Sequence, residues 1–295
     1  SKPNILFIMS DEHDPAVTGC YGDPLVATPN LDRLAGQGIT FDSCYCNSPL
    51  CVPSRLSFTA GQYISRVGAW NNECKLPSDT MPSLPRALHQ LGMTPYLCGK
   101  QHYASDRRYG FEDLLPSFNQ RNKKGRGFRL SRDEKTRQKG KALWDRRAAE
   151  FYPGDNSRTL DHDRTVTERA IRFLQDHPAE ADPFFLFVGY VAPHFPLIAP
   201  EDIYRKYQGR VPRPELPEGF EDGLLPNYEA LRLGFGFQNL DPDVVQYGRD
   251  LYWALTDWFD QEVGRLLDAA HQRSDAENTI IIYTSDHGEN KGDHG

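Results

Sequence analysis

The stretch Asn4–His13, NILFIMSDEH, decides the fold of this chain. Its first seven residues form a short and almost unbroken apolar run. Such a run is typical of a strand that is buried on both faces of a parallel sheet. The run ends on Asp11, Glu12 and His13. Because ligands of open parallel sheets bind outside the carboxyl ends of the strands, these residues are the first candidates for a site.

Three other apolar runs, TPYLCG, PFFLFVGYVAP and TIIIYTS, also indicate buried strands. The polar residues that follow them are Lys100, Gln101, His102, His194, Asp286 and His287. A single acid after a strand is usually a turn or a helix cap. Four strands that each bring such residues to one edge of a sheet indicate a functional site instead.

Helical periodicity separates these strands. The predicted helices lie within residues 28–38, Pro53–Ala60, Met81–Gly92, Asp161–His177 and 243–273. Alternating strands and helices predict an α/β fold, with a mainly parallel central sheet and helices on both faces. The 295 residues suit one large domain, or two at most.

Composition limits the classes of function. The net charge of −7 makes nucleic acid a poor partner. No apolar run approaches a membrane span, and the chain opens almost directly into a strand, without signal-peptide features. We therefore expect a cytoplasmic protein with no membrane partner, or one whose leader was removed. None of the six cysteines forms a CxxC pair, so we expect reduced structural thiols rather than a cysteine zinc site.

The residues after the strands combine two kinds of chemistry. Asp11, Glu12 and Asp286 offer carboxylate oxygens and His287 offers a nitrogen. Such a set suits Ca²⁺, Mg²⁺ or Mn²⁺ better than a structural zinc ion. The cationic or basic side chains of the same cluster are Arg55, Lys100, His102 and His194. A metal ringed by cationic donors suits a tetrahedral oxyanion ester, a sulfate or a phosphate, with histidine moving protons.

Cys51 lies where a helix is predicted to begin, in PLCVPSRLSFTAGQ. The helix dipole favours negative charge there, so a thiolate is conceivable. Attack by sulfur on a sulfate ester, however, is not a well-founded reaction. The spacing Cys-x-Pro-Ser-Arg points to a different role for this cysteine.

CVPSRLSFTAG, residues 51–61, resembles the signature of the sulfatase family, although Ala60 stands where threonine is usual. Four further segments resemble other parts of that family: NILFIMSDEH, TPNLDRLAGQGITFDSCYC, GKQH and TSDHGE. The resemblance covers nearly the whole chain. It implies the alkaline-phosphatase-like α/β sandwich and hydrolysis of a small-molecule sulfate ester.

The resemblance also implies residue roles. A maturation enzyme would convert Cys51 to formylglycine, whose hydrate attacks sulfur and then expels sulfate. Arg55 would hold this group, and Lys100 would bind it together with the substrate oxygens. His102 resembles the base, and His194 the residue at the leaving group.

The same resemblance implies the substrate and metal contacts. Asn72, with Asn71 as the alternative, would lie near the sulfate. The implied metal set is Asp11, Glu12, Asp286, His287 and Cys51, with calcium expected and magnesium or manganese as alternatives. At position 12 relatives commonly have Asp or Gln rather than Glu.

One departure concerns the end of the sequence. The family usually has a second active-site lysine beyond Asp-His-Gly and then a smaller C-terminal region, whereas Lys291 comes too early for that lysine. We therefore expect residues 1–295 to form a single N-terminal catalytic domain, with the C-terminal region missing. The oligomeric state cannot be read from the sequence.

Two alternatives stay open at this stage. The motifs also suit a hydrolase of phosphonate monoesters or phosphodiesters, and a non-catalytic metal-binding remnant with an unmodified cysteine. The segment Arg121–Arg147 carries twelve Lys or Arg and three acids. It is interpreted as a solvated insertion or mobile loop, or as a cationic rim over an anionic substrate. Pro193–Pro226 is interpreted as a long irregular connection.

Overall fold

The structure, a computed structural model, describes residues 2–115, 131–238 and 240–294. Its strands are β1 (Asn4–Asp11), β2 (Thr94–Gly99), β3 (Glu112–Leu115), β4 (Tyr152–Pro153), β5 (Phe184–Pro193), β6 (Ile198–Ala199) and β7 (Thr279–Ser285). Its α-helices are α1 (Pro29–Gly36), α2 (Cys51–Ala60), α3 (Ile64–Val67), α4 (Leu84–Gln90), α5 (Glu134–Ala148), α6 (Arg158–Asp176), α7 (Glu201–Tyr207), α8 (Pro226–Phe235) and α9 (Pro242–His271).

The main sheet has the strand order β3-β2-β5-β1-β7, and every neighbouring pair in it is parallel. β1 lies between β5 and β7, with Leu6 level with Leu186 on one side and Ile281 on the other. The short strands β4 and β6 form a separate parallel pair. The four strands whose ends were predicted to meet are therefore neighbours.

Two hydrophobic cores cover the two faces of this sheet. Since side chains alternate along a strand, Leu6 and Ile8 enter one core, while Phe7 and Met9 enter the other. The first core contains residues of α6 and α9, and the second contains residues of α2 and α4. The predicted parallel sheet with helices on both faces is confirmed.

The strands β2 and β5 approach each other closely where β2 ends. A Cβ atom on Gly189 would lie 1.9 Å from the carbonyl oxygen of Lys100. A Cβ atom on Gly99, whose φ is +91°, would lie 2.3 Å from the carbonyl oxygen of Gly189. Only glycine fits at such a separation, so this pair fixes where the chain leaves β2.

Several predicted boundaries differ from the structure. α2 begins at Cys51, two residues before Pro53, because proline is also tolerated later in the first turn, where an N–H is not needed. α6 begins earlier than Asp161, since the Ser157 side chain accepts a hydrogen bond from Thr159 N at the helix start. α4 is shorter than predicted, and the Ser83 side chain caps it.

The final strand was predicted to be buried, and this is wrong for β7. Within the described residues β7 pairs only with β1, so it lies at an edge of the sheet. Ile280 and Ile282 are 48% and 38% exposed. An apolar run alone does not distinguish an edge strand from a central one.

Two segments that were predicted to be irregular contain regular structure. In Arg121–Arg147, residues 121–130 lie outside the described residues, but α5 occupies most of the remainder. Pro193–Pro226 includes β6 and α7. Among the described residues, no helix combines the length and apolar character that crossing a membrane requires.

Candidate active site

The site lies at the carboxyl end of the sheet, where β2, β5, β1 and β7 end side by side. Asp11 is the last residue of β1, Lys100 follows β2, His194 follows β5 and Asp286 follows β7. The N-terminus of α2 adds Cys51 to the same place. The convergence that was predicted from the ends of the apolar runs is thus present in the fold.

Arg55 links these strand ends. Its side chain is fully buried. Its Nε donates to Asp286 Oδ2 and one of its terminal nitrogens donates to Asp11 Oδ2, both at 2.9 Å. The other terminal nitrogen donates to the carbonyl oxygen of Lys100 at 3.0 Å. A planar guanidinium spreads its donors over three nitrogens, so it can reach three acceptors that lie apart, whereas an ammonium group offers all its donors from a single atom.

Asp11 lies between two cations. Its Oδ2 accepts from Arg55 and contacts the ammonium group of Lys100. Burial by itself raises the pKa of the Asp11 carboxyl, but Lys100 and Arg55 hold it well below its usual range. For Lys100, burial is likewise outweighed by Asp11, so the pKa of its ammonium is raised. Both groups therefore stay charged inside the protein.

Cys51 is the first residue of α2 and is buried. Its Sγ lies 3.6 Å from Asp11 Oδ1. Burial and the Asp11 carboxylate raise the pKa of the Cys51 thiol, in spite of its place at a helix start. The unmodified residue is accordingly a neutral thiol and a poor nucleophile, because only the thiolate attacks.

Asn72 lies at the same helix start. Its Oδ1 accepts a hydrogen bond from Val52 N at 3.0 Å. One of the free N–H groups of the first turn is thereby satisfied, which fixes the orientation of α2 next to Cys51. The predicted contact of Asn72 with a sulfate stays a prediction.

Four of the five residues predicted to bind a metal bring their ligand atoms together. These atoms lie within 4.8 Å of one another and belong to Asp11, Glu12, Cys51 and His287. The carboxylate of the fifth residue, Asp286, accepts from Arg55, and it also accepts from the backbone N–H groups of Glu12 and His287. It therefore braces the group that the other four residues form.

The donor set fits a divalent cation. The Nδ1 of His287 lies 2.9 Å from the carbonyl oxygen of Gly288, so Nδ1 carries a proton and, in the neutral imidazole, Nε2 keeps a lone pair. This buried Nε2 has no hydrogen-bond partner among the described residues. Burial, together with the nearby carboxylates of Glu289 and Asp11, raises the pKa of Glu12 well above its usual range. A bound cation would relieve this excess of negative charge.

The two remaining histidines of the predicted site are His102 and His194. Burial and the neighbouring Lys100 lower the pKa of His102 to about 3, so its imidazole is neutral. Its backbone φ is +58°, a left-handed conformation that is uncommon outside glycine. The Nε2 of His194 lies 3.2 Å from Glu12 Oε1. Both side chains are therefore in the predicted cluster, whereas their individual roles stay predictions.

Asp163 of α6 was missed by the sequence analysis. Its buried carboxylate accepts from Ala192 N at 2.7 Å and from Val191 N at 3.0 Å, at the end of β5. It thereby holds the backbone that leads into His194. The signal was present in the sequence, since Asp163 lies on the apolar face that Leu160 and Val166 define. An acid on that face indicates a buried partner.

Tyr252 of α9 was also missed. Its buried hydroxyl donates to the carbonyl oxygen of Glu12 and accepts from Asp14 N. Glu12 has a φ of +61°, so its backbone is in an unfavourable conformation that these bonds help to hold. A tyrosine in a long amphipathic helix gives no such signal in the sequence.

The fold and the site together define an α/β protein in which a group of side chains that could hold a metal ion and two buried cations surround a cysteine at a helix start. A sequence profile of the sulfatase family matches residues 3–295. The chain is 32% identical to the uncharacterized sulfatase YidJ of Escherichia coli over 99% of its own length and 58% of that protein. It is 29% identical to human iduronate 2-sulfatase over 99% of its own length and 56% of that protein.

This chain belongs to the sulfatase family. It spans somewhat more than half the length of the curated relatives that it matches. Among solved structures, the phosphonate monoester hydrolase of Agrobacterium radiobacter superposes with a TM-score of 0.75 at 22% identity. That superposition covers 99% of this chain and 64% of the hydrolase, and it supports the shared fold alone. The predicted family and its α/β sandwich are confirmed.

Proposed function

We propose that this chain forms the catalytic part of a sulfatase, which hydrolyses a sulfate ester to an alcohol and sulfate. One observation carries the proposal. The side chain of Cys51 lies in a buried group with Asp11, Glu12 and His287, directly beside the cations Arg55 and Lys100. An oxyanion ester needs this combination of a nucleophile position and fixed positive charge.

We further propose that position 51 works as formylglycine. Its hydrate would supply the oxygen nucleophile that the neutral thiol does not provide. The neutral state of the Cys51 thiol supports this, because an unmodified cysteine would need a lowered pKa to act. Arg55 and Asn72 orient the first turn of α2 and hence the side chain of residue 51.

Asp11, Glu12 and His287 are proposed to hold a divalent cation, Ca²⁺ first, with Asp286 bracing them. When bound, such an ion stabilises negative charge on ester oxygens. Lys100 is proposed to bind a sulfate oxygen; its raised pKa, which keeps the ammonium charged beside Asp11, supports this role. We propose that His194 protonates the leaving oxygen and that the neutral His102 accepts a proton.

The first test uses the full chain produced together with a formylglycine-generating enzyme. Mass spectrometry of the peptide that contains residue 51 is expected to show an aldehyde in place of the thiol. The modified protein should hydrolyse an aryl sulfate, and the Cys51→Ala variant should not. Retention of the thiol together with an inactive protein would favour the non-catalytic alternative.

A matched aryl phosphonate monoester tests the alternative that this chain is a hydrolase of phosphonate monoesters or phosphodiesters. We expect a higher kcat/KM for the sulfate ester. A preference for the phosphorus ester by orders of magnitude would overturn the sulfatase proposal while leaving the formylglycine proposal intact. Dialysis against a chelator should abolish turnover, and titration with Ca²⁺, Mg²⁺ and Mn²⁺ should identify the ion that restores it.

A further inference from the structure

His102 has a backbone conformation that the rest of the fold must hold in place. Its φ is +58°, and a residue with a side chain keeps this left-handed conformation only where its surroundings fix it. The imidazole of His102 belongs to the candidate active site, so the contacts on either side of it decide where the ring lies. On both sides these contacts reach α2, the helix that begins at Cys51.

On the N-terminal side, the backbone is bonded at Lys100. The N–H of Lys100 donates to the carbonyl oxygen of Gly189 in β5 at 2.7 Å. Its own carbonyl oxygen accepts from Arg55 of α2 at 3.0 Å. The chain is therefore fixed two residues before His102, by the sheet and by the helix together.

On the C-terminal side, the side chain of Tyr103 makes the contact with α2. Tyr103 is buried, and its hydroxyl is hydrogen-bonded to Oγ1 of Thr59, a buried residue near the end of α2. Its ring packs edge-on against Tyr109, with the ring centroids 4.8 Å apart. Tyr103 thereby joins the residue after His102 to the helix that carries position 51, about 12 Å along that helix from its start.

The direction of this hydrogen bond follows from the protons present. Thr59 Oγ1 donates its only proton to the carbonyl oxygen of Arg55 at 2.7 Å. The Thr59 oxygen must then accept from Tyr103, whose hydroxyl keeps its proton because burial raises its pKa. A short chain of hydrogen bonds thus runs from Tyr103 through Thr59 to the backbone of Arg55, the residue that bonds Asp11 and Asp286.

We propose that Tyr103 and Thr59 are positioning residues for the sulfatase reaction, and that their hydrogen bond sets the imidazole of His102 against the side chain of residue 51. The inference rests on the proposed function, in which His102 accepts a proton. Tyr103 and Thr59 act through the placement of this ring and not on the substrate. Because a proton passes only between groups within hydrogen-bond reach, a small shift of the ring slows the reaction without releasing the substrate.

Removal of the Tyr103 hydroxyl tests the inference on the modified, metal-loaded full chain with an aryl sulfate. Tyr103→Phe keeps the ring and its packing but has no proton to donate to Thr59. We expect kcat to fall at least tenfold and KM to change less than twofold, because misplacing a catalytic group by about 1 Å costs up to about 100-fold in rate. An unchanged kcat, or a loss of kcat/KM that comes only from KM, would overturn the inference.

Tyr109→Phe is the matched control. Tyr109 is fully buried, and its hydroxyl accepts from Leu76 N at 3.1 Å, so this substitution removes a buried hydrogen bond from the other ring of the same pair. Urea denaturation should show at least as large a loss of stability as in Tyr103→Phe, since the Leu76 N–H loses its acceptor. We expect kcat of the control to stay within twofold of the wild type. An equal fall of kcat in both variants would show that kcat only follows stability.

Thr59 gives a second test of the same hydrogen bond. Thr59→Val removes the hydroxyl at nearly the same shape, whereas Thr59→Ser keeps it. We expect Thr59→Val to lower kcat as Tyr103→Phe does, and Thr59→Ser to stay within threefold of the wild type. Since Thr59→Val and Tyr103→Phe break one bond, the double variant should lose no more than the more impaired single variant. Losses that multiply in the double variant would contradict the pairing of these two residues.

The outcomes distinguish the inference from the proposed function. If the wild-type protein hydrolyses no sulfate ester, the proposed function fails and this inference fails with it. If the wild type hydrolyses the aryl sulfate and both Tyr103→Phe and Thr59→Val match its kcat, only this inference fails.

Discussion

Arg55 and Arg147 carry the same guanidinium group in two very different regions. Arg55 belongs to the end of the sheet, where its nitrogens bond Asp11, Asp286 and the backbone of Lys100, and nothing of it is exposed. Arg147 belongs to α5, where the rings of Phe195 and Phe235 contact it and no described carboxylate pairs with it. The first region fixes its charges internally, whereas the second leaves a charge without an acidic partner among the described residues.

The two regions should therefore differ in how much their charges contribute to stability. At the sheet end the acids and cations satisfy one another, so their geometry is set when the strands assemble. On α5 the cations contribute little to folding, because exposed charges are solvated and make weak pairs. Substitutions in the two regions should therefore differ mainly in how much stability they remove.

The largest effect is expected for Arg55→Lys. An ammonium group cannot reach both carboxylates and the Lys100 carbonyl oxygen, so buried negative charge is left without compensation. We expect the free energy of unfolding to fall by about 3–5 kcal/mol and turnover to be lost. Urea denaturation measures the first quantity and aryl sulfate hydrolysis the second. Arg33→Lys, at an exposed ion pair with Asp268, is the control and should change stability little.

A stability loss in Arg55→Lys no larger than that in Arg33→Lys would contradict the view that the sheet end is held together by its charges.

The next effect concerns Asp163, which holds the backbone before His194. Asp163→Ala leaves two buried N–H groups without acceptors, so we expect a loss of about 2–4 kcal/mol in the free energy of unfolding. If the residue positions His194, kcat should fall more than tenfold while KM changes less. Asp163→Asn retains one acceptor oxygen and should recover part of both quantities. An active Ala variant with an unchanged kcat would show that Asp163 has a structural role only.

Asp260 of α9 is a buried carboxylate without a described cation partner, in contrast to Asp11. It accepts from the backbone N–H groups of Asn30 and Leu31 at the start of α1. Burial raises its pKa from 3.8 to about 6. The native state thus binds more protons than the unfolded chain between about pH 4 and 6. The stability that Asp260 contributes is present below about pH 4 and is lost as the pH rises through 6.

This pH dependence is measured as the difference in free energy of unfolding between the wild type and Asp260→Asn, which does not titrate. Between pH 4 and pH 7 the wild type should lose about 2–3 kcal/mol in free energy of unfolding relative to Asp260→Asn. A constant difference would show that Asp260 titrates normally, and that burial without a cation does not perturb carboxyl groups in this fold.

The smallest effect is expected for Lys135, Lys139 and Arg146, which are exposed on α5 and pair with no acid among the described residues. Replacing Lys135, Lys139 and Arg146 with Gln should change the free energy of unfolding by less than about 0.5 kcal/mol for each residue, as surface substitutions usually do. Thermal unfolding measures this. A loss of several kcal/mol would mean that these exposed cations stabilise the fold.

The sequence predicted much of this arrangement because hydrophobic periodicity and residue composition indicate the secondary structure of each short segment. Apolar runs marked β1, β2, β5 and β7, and the polar residues after them became the site. The apolar face of α6 marks Asp163 as an acid with a buried partner, but that partner, Ala192, lies 29 residues away and cannot be named from the sequence. Tyr252 gives no such signal, and its partner Glu12 lies 240 residues away. The exposure of Ile280 in β7 escaped notice for a related reason, because an apolar run does not reveal whether it has one neighbouring strand or two.

The sequence by itself determined the α/β class, the family signature at Cys51 and the residues that gather around it. It did so because these features depend on residue type and on short spacings. The tertiary structure alone decided that Asp286 bonds Arg55 and braces the group of Asp11, Glu12, Cys51 and His287. It also decided that Arg147 pairs with none of the described carboxylates, and that a cavity opens beside Glu12. Those features depend on distances between segments far apart in the chain, which only the packing of the strands and helices sets.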